Sequence, residues 1–113
     1  MEDCIFCMLA NGAIPTDIVY QDEQIAVFRD AEPQAPVHML MVPKLHIASL
    51  DELTDEHAEL AAHMLLKIKE VAAQEGLENG YRCVINTGED GQQTVKHLHI
   101  HILGKRSMQW PPG

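Results

Sequence analysis

A chain of 113 residues is the length of one ordinary domain, and at 46% hydrophobic it can bury a core without disulfide staples. Eight Lys and Arg against 17 Asp and Glu give a formal net charge of −9. With no basic run to offset that charge, a duplex nucleic-acid partner is disfavoured, although one small phosphate can still be held by local amides and imidazoles. Three cysteines, two of them in Cys4-Ile5-Phe6-Cys7, suit a reducing, cytoplasmic setting. The acidic opening Met1-Glu2-Asp3 lacks the apolar stretch of a leader, and no apolar run approaches membrane-spanning length.

Residues Cys4 to Asn11 predict a short helix, closed by Gly12 with Pro15 beyond it. Ile18 to Gln21 and Gln24 to Arg29 read as a hairpin around Asp22-Glu23. After a proline-containing loop, Val37 to Val42 is nearly all apolar, as in a strand covered on both faces. Asp55 to Glu75 is the one long helix. Leu60, Met64, Ile68 and Val71 mark its apolar side, and Glu59, His63, Lys67, Glu70 and Gln74 its polar side. Thr54 is its N-cap and Gly76 its stop. Tyr81 to Asn86 and Val95 to Leu103 complete the strands, joined by a loop of turn residues from Thr87 to Gln93. Cys83, alternating with Tyr81 and Ile85, reads as an inert core residue. The sum is a single α+β domain over residues 1–113, with a mainly antiparallel sheet, one long helix and a short N-terminal helix.

The segment Val95-Lys96-His97-Leu98-His99-Ile100-His101-Ile102-Leu103 carries the chemistry. A strand has period 2, so His97, His99 and His101 share one face and Leu98, Ile100 and Ile102 the other. The apolar face turns to the core, leaving three imidazoles on the opposite side. Three readings fit: polar residues of a half-buried strand, ligands of a catalytic metal, or a nucleophilic imidazole supported by its neighbours. The last is favoured by the Gly/Gln/Thr loop before the strand, whose amides can hold phosphate oxygens, and by the lack of any Asp or Glu within the strand to complete a hydrolytic metal centre. Imidazole is a competent phosphorus nucleophile near neutral pH, and a phosphohistidine splits one hard displacement into two easier ones.

The same residues resemble the histidine-triad family, whose motif is His-x-His-x-His. Asp30-Ala31-Glu32-Pro33-Gln34-Ala35-Pro36-Val37-His38 is similar to the family's Asp-x-x-Pro-Gln-Ala-Pro-x-His segment. Pro43-Lys44-x-His46-Ile47, Asn86 and Gln93-Thr94-Val95 follow, and the ending Leu103-Gly104-x-Arg106-x-Met108-x-Trp110-Pro111-Pro112-Gly113 resembles the Hint branch of purine nucleoside phosphoramidases. The resemblance implies that His99 is the nucleophile, that His101 contacts the phosphoryl or leaving-group oxygens, and that His38 joins the proton relay. It implies that Asp30 accepts the ribose hydroxyls and that Asn86, Gln93 and Thr94 position the phosphate. On the residues alone, Asp30 reads equally as a strand-end turn residue and His38 as a satisfied core histidine. The Hint branch has Gly-Gly-Gln-Ser where this chain has Gly91-Gln92-Gln93-Thr94, and Gln93-Thr94-Val95-Lys96-His97 resembles the dinucleoside-polyphosphate hydrolases of the Fhit branch instead.

Cys4 and Cys7 have ligand spacing but cannot complete a tetrahedral zinc site alone; buried, they would serve as small hydrophobes. The resemblance implies that His46 and His97 complete a structural zinc site, with no metal needed for catalysis. It also implies a homodimer whose tail, residues 104–113, lies near the neighbouring subunit's active site. The function expected is hydrolysis of purine nucleoside 5'-phosphoramidates through a nucleotidyl-His99 intermediate. The rivals are a dinucleoside polyphosphate hydrolase and a nucleotide-binding adaptor.

Overall fold

The computed structural model describes residues 3–113; Met1 and Glu2, on which the reading of an acidic, leaderless opening rests, lie outside the described residues. Helix α1 (Ile5–Ala10) is followed by strands β1 (Ile18–Gln21), β2 (Ile25–Arg29) and β3 (Val37–Pro43). Then come helix α2 (Ala58–Gln74), strand β4 (Tyr81–Val84) and strand β5 (Ile100–Gly104). All strand pairs are antiparallel, in the order β1-β2-β3-β5-β4, giving the α+β fold.

The central strand β3 is buried at every position after Val37, as its unbroken apolar run requires. On one face, Ile25, Val27, Met39, Met41, Ile100 and Ile102 pack against Leu60, Met64, Ile68 and Val71 of α2. On the other, Phe6 and Ala10 of α1 cover Ala26, Phe28, Leu40 and Val42. At roughly 1.5–3 kcal/mol for each fully buried large side chain, the α2 face is the main source of stability. α1, with six residues, is too short to persist without its contacts.

The polar side of α2 is also anchored. Although burial pushes the Asp22 carboxyl upward, the Gln24 N–H, the His63 ring, the Ile25 N–H and the Tyr20 hydroxyl outweigh it and hold it well below the usual carboxylate range. His63 Nε2 lies 2.7 Å from Asp22 Oδ2, tying α2 to the β1–β2 turn. The helix opens with a 3₁₀ turn at Asp55–His57, so the α-helix proper begins three residues after the predicted start, while Thr54 still caps that turn through its N–H to His57 Nδ1 at 3.0 Å. Gly76, at φ +74°, ends it as expected.

Two strands are shorter than their sequences suggest. β4 stops at Val84 and not at Asn86. β5 begins at Ile100, five residues after the predicted Val95. Before it, the His97 N–H donates to the Val95 carbonyl at 2.9 Å and the Leu98 N–H to Ile47 at 2.7 Å, a tight turn that takes residues 95–99 out of the ladder. The alternation survives that turn: Leu98, Ile100 and Ile102 join the α2-side core while the histidines do not. Cys83 is a correction, for it is exposed. It pairs with Ile102 on the α2 side of the sheet, but β4 is an edge strand on which α2 packs too little to cover Cys83. Among the described residues, no helix is long and apolar enough to cross a membrane.

Candidate active site and metal centre

Strand register brings the first catalytic candidates together. Leu40 is paired with His101 and His38 with Leu103, so His38 and His101 are diagonal neighbours on the α1 side of the sheet. Asp30, Asn86, Thr94, His38, His99 and His101 all line one open cavity of about 680 Å³, a volume typical of small-ligand sites. Its cationic lining residue among those described, Arg29, is ion-paired to Glu75 at 2.7 Å and to Asp17 at 3.3 Å. An anion in the cavity would therefore be met mainly by N–H and O–H donors.

The hydrogen bonds fix the proton on each ring. A carbonyl only accepts, so His99 Nδ1, 2.6 Å from the His97 carbonyl, carries hydrogen; in the neutral ring the lone pair is then on Nε2. His38 Nδ1 accepts from the Gln34 N–H at 2.9 Å. Its hydrogen is thus on Nε2, which donates to His101 Nδ1 at 2.9 Å and lies 3.4 Å from Asp30 Oδ2. Burial, opposed by Asp30, pushes the His38 pKa down. Burial, reinforced by His99 and His38, pushes His101 down to about 4. His101 is therefore neutral near pH 7 and, with Nδ1 accepting, carries its hydrogen on Nε2.

Phe6 of α1 sets its ring edge-on to His99, with centroids 4.9 Å apart and planes at 79°. Asp30 does have a turn role, since its Oδ1 accepts from the Glu32 N–H at 2.8 Å, yet it lines the cavity as well. His38 has both ring nitrogens bonded, as a satisfied buried histidine should, and still faces the same cavity.

Gln93 is placed differently from the other nucleotide candidates. Its Nε2 donates to the Ala48 carbonyl at 2.7 Å and to Val95 at 3.0 Å, while its Oε1 accepts from the Gly88 N–H at 3.1 Å. It pins the loop from behind and is absent from the cavity lining. Gln92 takes that place, at φ +60°. Gly91 permits the turn, because a Cβ there would sit 2.5 Å from the Thr87 carbonyl. The sequence offers no signal of a site role for Phe6, and for Gln92 only that it stands where the Hint branch has a glycine.

Behind the cavity, Cys4, Cys7, His46 and His97 converge. His97 Nε2 lies 2.8 Å from the Pro43 carbonyl and so carries hydrogen, leaving the Nδ1 lone pair for a ligand. That atom is 3.3 Å from Cys4 Sγ, 3.5 Å from Cys7 Sγ and 3.2 Å from His46 Nδ1, and Cys7 Sγ is 3.3 Å from His46 Nδ1. Zn–N and Zn–S bonds of about 2.0–2.3 Å put tetrahedral donors roughly 3.3–3.8 Å apart, so the four residues fit a zinc ion. His97, expected from its alternation to share the face of His99, thus spends its ring on this second site.

Residues 3–110 match the family model described as scavenger mRNA decapping enzyme C-term binding. The chain is 59% identical to an uncharacterised HIT-like protein of Synechococcus elongatus over 99% of this chain and 98% of that one. It is 47% identical to a 14 kDa zinc-binding protein of Zea mays, covering 96% and 87% of the two chains. Among solved structures, a HIT family hydrolase from Legionella pneumophila superposes with a TM-score of 0.95 at 48% identity, covering 98% of this chain and 100% of that one. A histidine triad protein from Clostridium difficile gives a TM-score of 0.93 at 42% identity, covering 96% of each.

Gln93→Ala is expected to lower stability by about 1–3 kcal/mol, because the loop loses its three bonded partners. Chemical denaturation checks this. An unchanged midpoint would show that Gln93 does not hold the loop.

Proposed function

This chain belongs to the histidine-triad family, and from that premise we propose that it hydrolyses purine nucleoside 5'-phosphoramidates through a nucleotidyl-His99 intermediate. The observation that carries the reading is the His99 ring, held by the His97 carbonyl with Nε2 available to the cavity. Nε2 attacks the α-phosphorus and the P–N bond breaks. The departing nitrogen takes up a proton through His101, with His38 behind it; the pair binds that extra proton from solvent alongside the anionic substrate, is left neutral when it is delivered, and the hydrolysis step returns one proton to solvent. Developing positive charge on His99 is stabilised by the Nδ1–H bond to the carbonyl. Water then cleaves the P–N bond to His99 and restores the free ring. Asp30 Oδ2 receives the ribose hydroxyls, and Asn86, Thr94 and the loop amides orient the phosphate.

Two rivals remain separable by assay. Hydrolysis of dinucleoside polyphosphates would release a nucleotide pair, where an AMP–amine substrate releases AMP and amine. An adaptor would keep its biological effect when His99 is removed. His99→Ala is expected to lower turnover by several orders of magnitude while nucleotide binding stays detectable, because the covalent route is deleted and ground-state contacts are not. Product analysis across a panel of phosphoramidates and dinucleotides checks both points. Full activity in His99→Ala, or release of nucleotide pairs alone, would overturn the reading.

The zinc assigned to Cys4, Cys7, His46 and His97 is structural in this account. It would tie α1 to the β3 end and the β5 approach with no open position for substrate. Cys4→Ser is expected to lower zinc content and melting temperature together while sparing the rate per folded molecule. Zinc-free protein from zinc-replete growth would contradict this.

The homodimer is part of the same reading. Trp110 is 82% exposed, and Tyr81 and Ile85 near the β4 edge and Leu65 and Leu66 on α2 add further exposed apolar surface. The Gln109 carbonyl accepts from Arg82 at 2.9 Å, holding the tail against β4 while leaving the indole free to meet a partner. Deleting residues 108–113 is expected to change the ratio of kcat/KM between two amine leaving groups more than it changes stability. A sedimenting monomer with an unchanged ratio would rule this out.

A further inference from the structure

The loop that carries Asp30 and leads to His38 is held mostly by itself. The Asp30 N–H donates to the His38 carbonyl at 3.0 Å, the Glu32 N–H to Asp30 Oδ1 at 2.8 Å, and Gln34 Nε2 to the Glu32 carbonyl at 3.1 Å. Residues 31–34 and Pro36 are exposed. Apart from the ring of His38, the side chain outside the loop that hydrogen-bonds its backbone, among the described residues, is Arg106, with Nε 2.9 Å from the Gln34 carbonyl and 72 positions along the chain. Arg106 is itself well placed. It lies two residues past Gly104, which pairs with Val37 in the β3–β5 ladder, and Lys105 at φ +68° turns the chain back toward the loop.

Gln34 matters because of its other side. Its N–H points at His38 Nδ1, and that close donor, with the Asp30 carboxylate 3.4 Å from Nε2 on the far side of the ring, sets the direction of the bonds beyond it. With it in place, His38 donates from Nε2 to His101 Nδ1, and His101 presents Nε2–H to the cavity. The opposite tautomer of His38 would set N–H against N–H at Gln34 and lone pair against lone pair at His101. Without the Gln34 donor, only the longer contact of Nε2 with Asp30 opposes reversal of the pair. His101 would then donate from Nδ1, and its cavity-facing nitrogen would be a lone pair directed at phosphoryl oxygens.

We infer that Arg106 is a positioning residue: by holding the Gln34 carbonyl it keeps the Gln34 N–H on His38 and so keeps the cavity-facing nitrogen of His101 a donor. The catalytic consequence rests on the relay proposed above for His38 and His101; the tautomer does not. Arg is suited to this task because its planar donor group is stiff and always charged, whereas a lysine ammonium on a flexible stem reaches the same carbonyl with less constraint.

The test is nitrogen NMR of the full chain with labelled histidine, on the wild type, Arg106→Ala and Arg106→Lys, alongside steady-state kinetics. The wild type is expected to show His38 protonated on Nε2 and bare on Nδ1. Arg106→Ala should give averaged His38 nitrogen shifts and a kcat lower by roughly tenfold with KM little changed, and Arg106→Lys should fall between the two. Unaltered His38 shifts in Arg106→Ala would overturn the inference, even if its melting temperature dropped. If the shifts move as expected and the wild type cleaves no phosphoramidate, the functional reading fails and the tether stands.

Discussion

The bond from His99 Nδ1 to the carbonyl of His97, at 2.6 Å, is the constraint on which the rest of the site depends. It exists because residues 95–99 leave the sheet. In a continued ladder the His97 carbonyl would point along the strand plane toward a neighbour, whereas in the turn it meets the ring two residues on. The bond removes one nitrogen of His99 from the chemistry and commits the other to the cavity. Everything else in the cavity is arranged about that ring: Phe6 against its face, and His101 beside it with ring centroids 5.1 Å apart.

The two sites share a residue without sharing atoms. The carbonyl of His97 orients the nucleophile, while its ring joins Cys4, Cys7 and His46. Helix α1 is connected to both. Cys4 caps it and Cys7 lies in its first turn, and Phe6 between them packs edge-on to His97 and His99. A metal bound there would act on the cavity through the placement of Phe6 and the turn, at a distance from substrate. Structural zinc and metal-free chemistry at phosphorus are then compatible in one small domain.

Much of this was legible in the sequence, and for physical reasons. The unbroken apolar run at Val37–Val42 and the helical spacing of Leu60, Met64, Ile68 and Val71 report burial, which periodicity encodes directly. The alternation of Leu98, Ile100 and Ile102 correctly put three apolar residues in the core. It could not reveal that the strand begins only at Ile100, because the turn at His97 is held in part by carbonyls far away in sequence, those of Ile47 and Pro43. Cys83 misled for a related reason: alternation identifies a face, and only the third dimension shows that α2 leaves this edge uncovered. The motif placed Asp30, His38, Asn86, Thr94, His99 and His101 around one cavity. Gln93 and Gln92 lie in adjacent positions with opposite orientations, and a local φ of +60° decides which of them lines the cavity.

The central claim is that the reaction passes through a covalent bond between His99 and phosphorus, and the stereochemistry at phosphorus tests it most directly. A nucleoside phosphoramidate made chiral at its α-phosphorus by sulfur substitution is hydrolysed in isotopically labelled water, and the configuration of the product is determined. Two in-line displacements, the first by His99 and the second by water, each invert the centre, so the account predicts overall retention. Overall inversion would mean that water attacks the substrate directly, and the nucleophilic role of His99 would be contradicted.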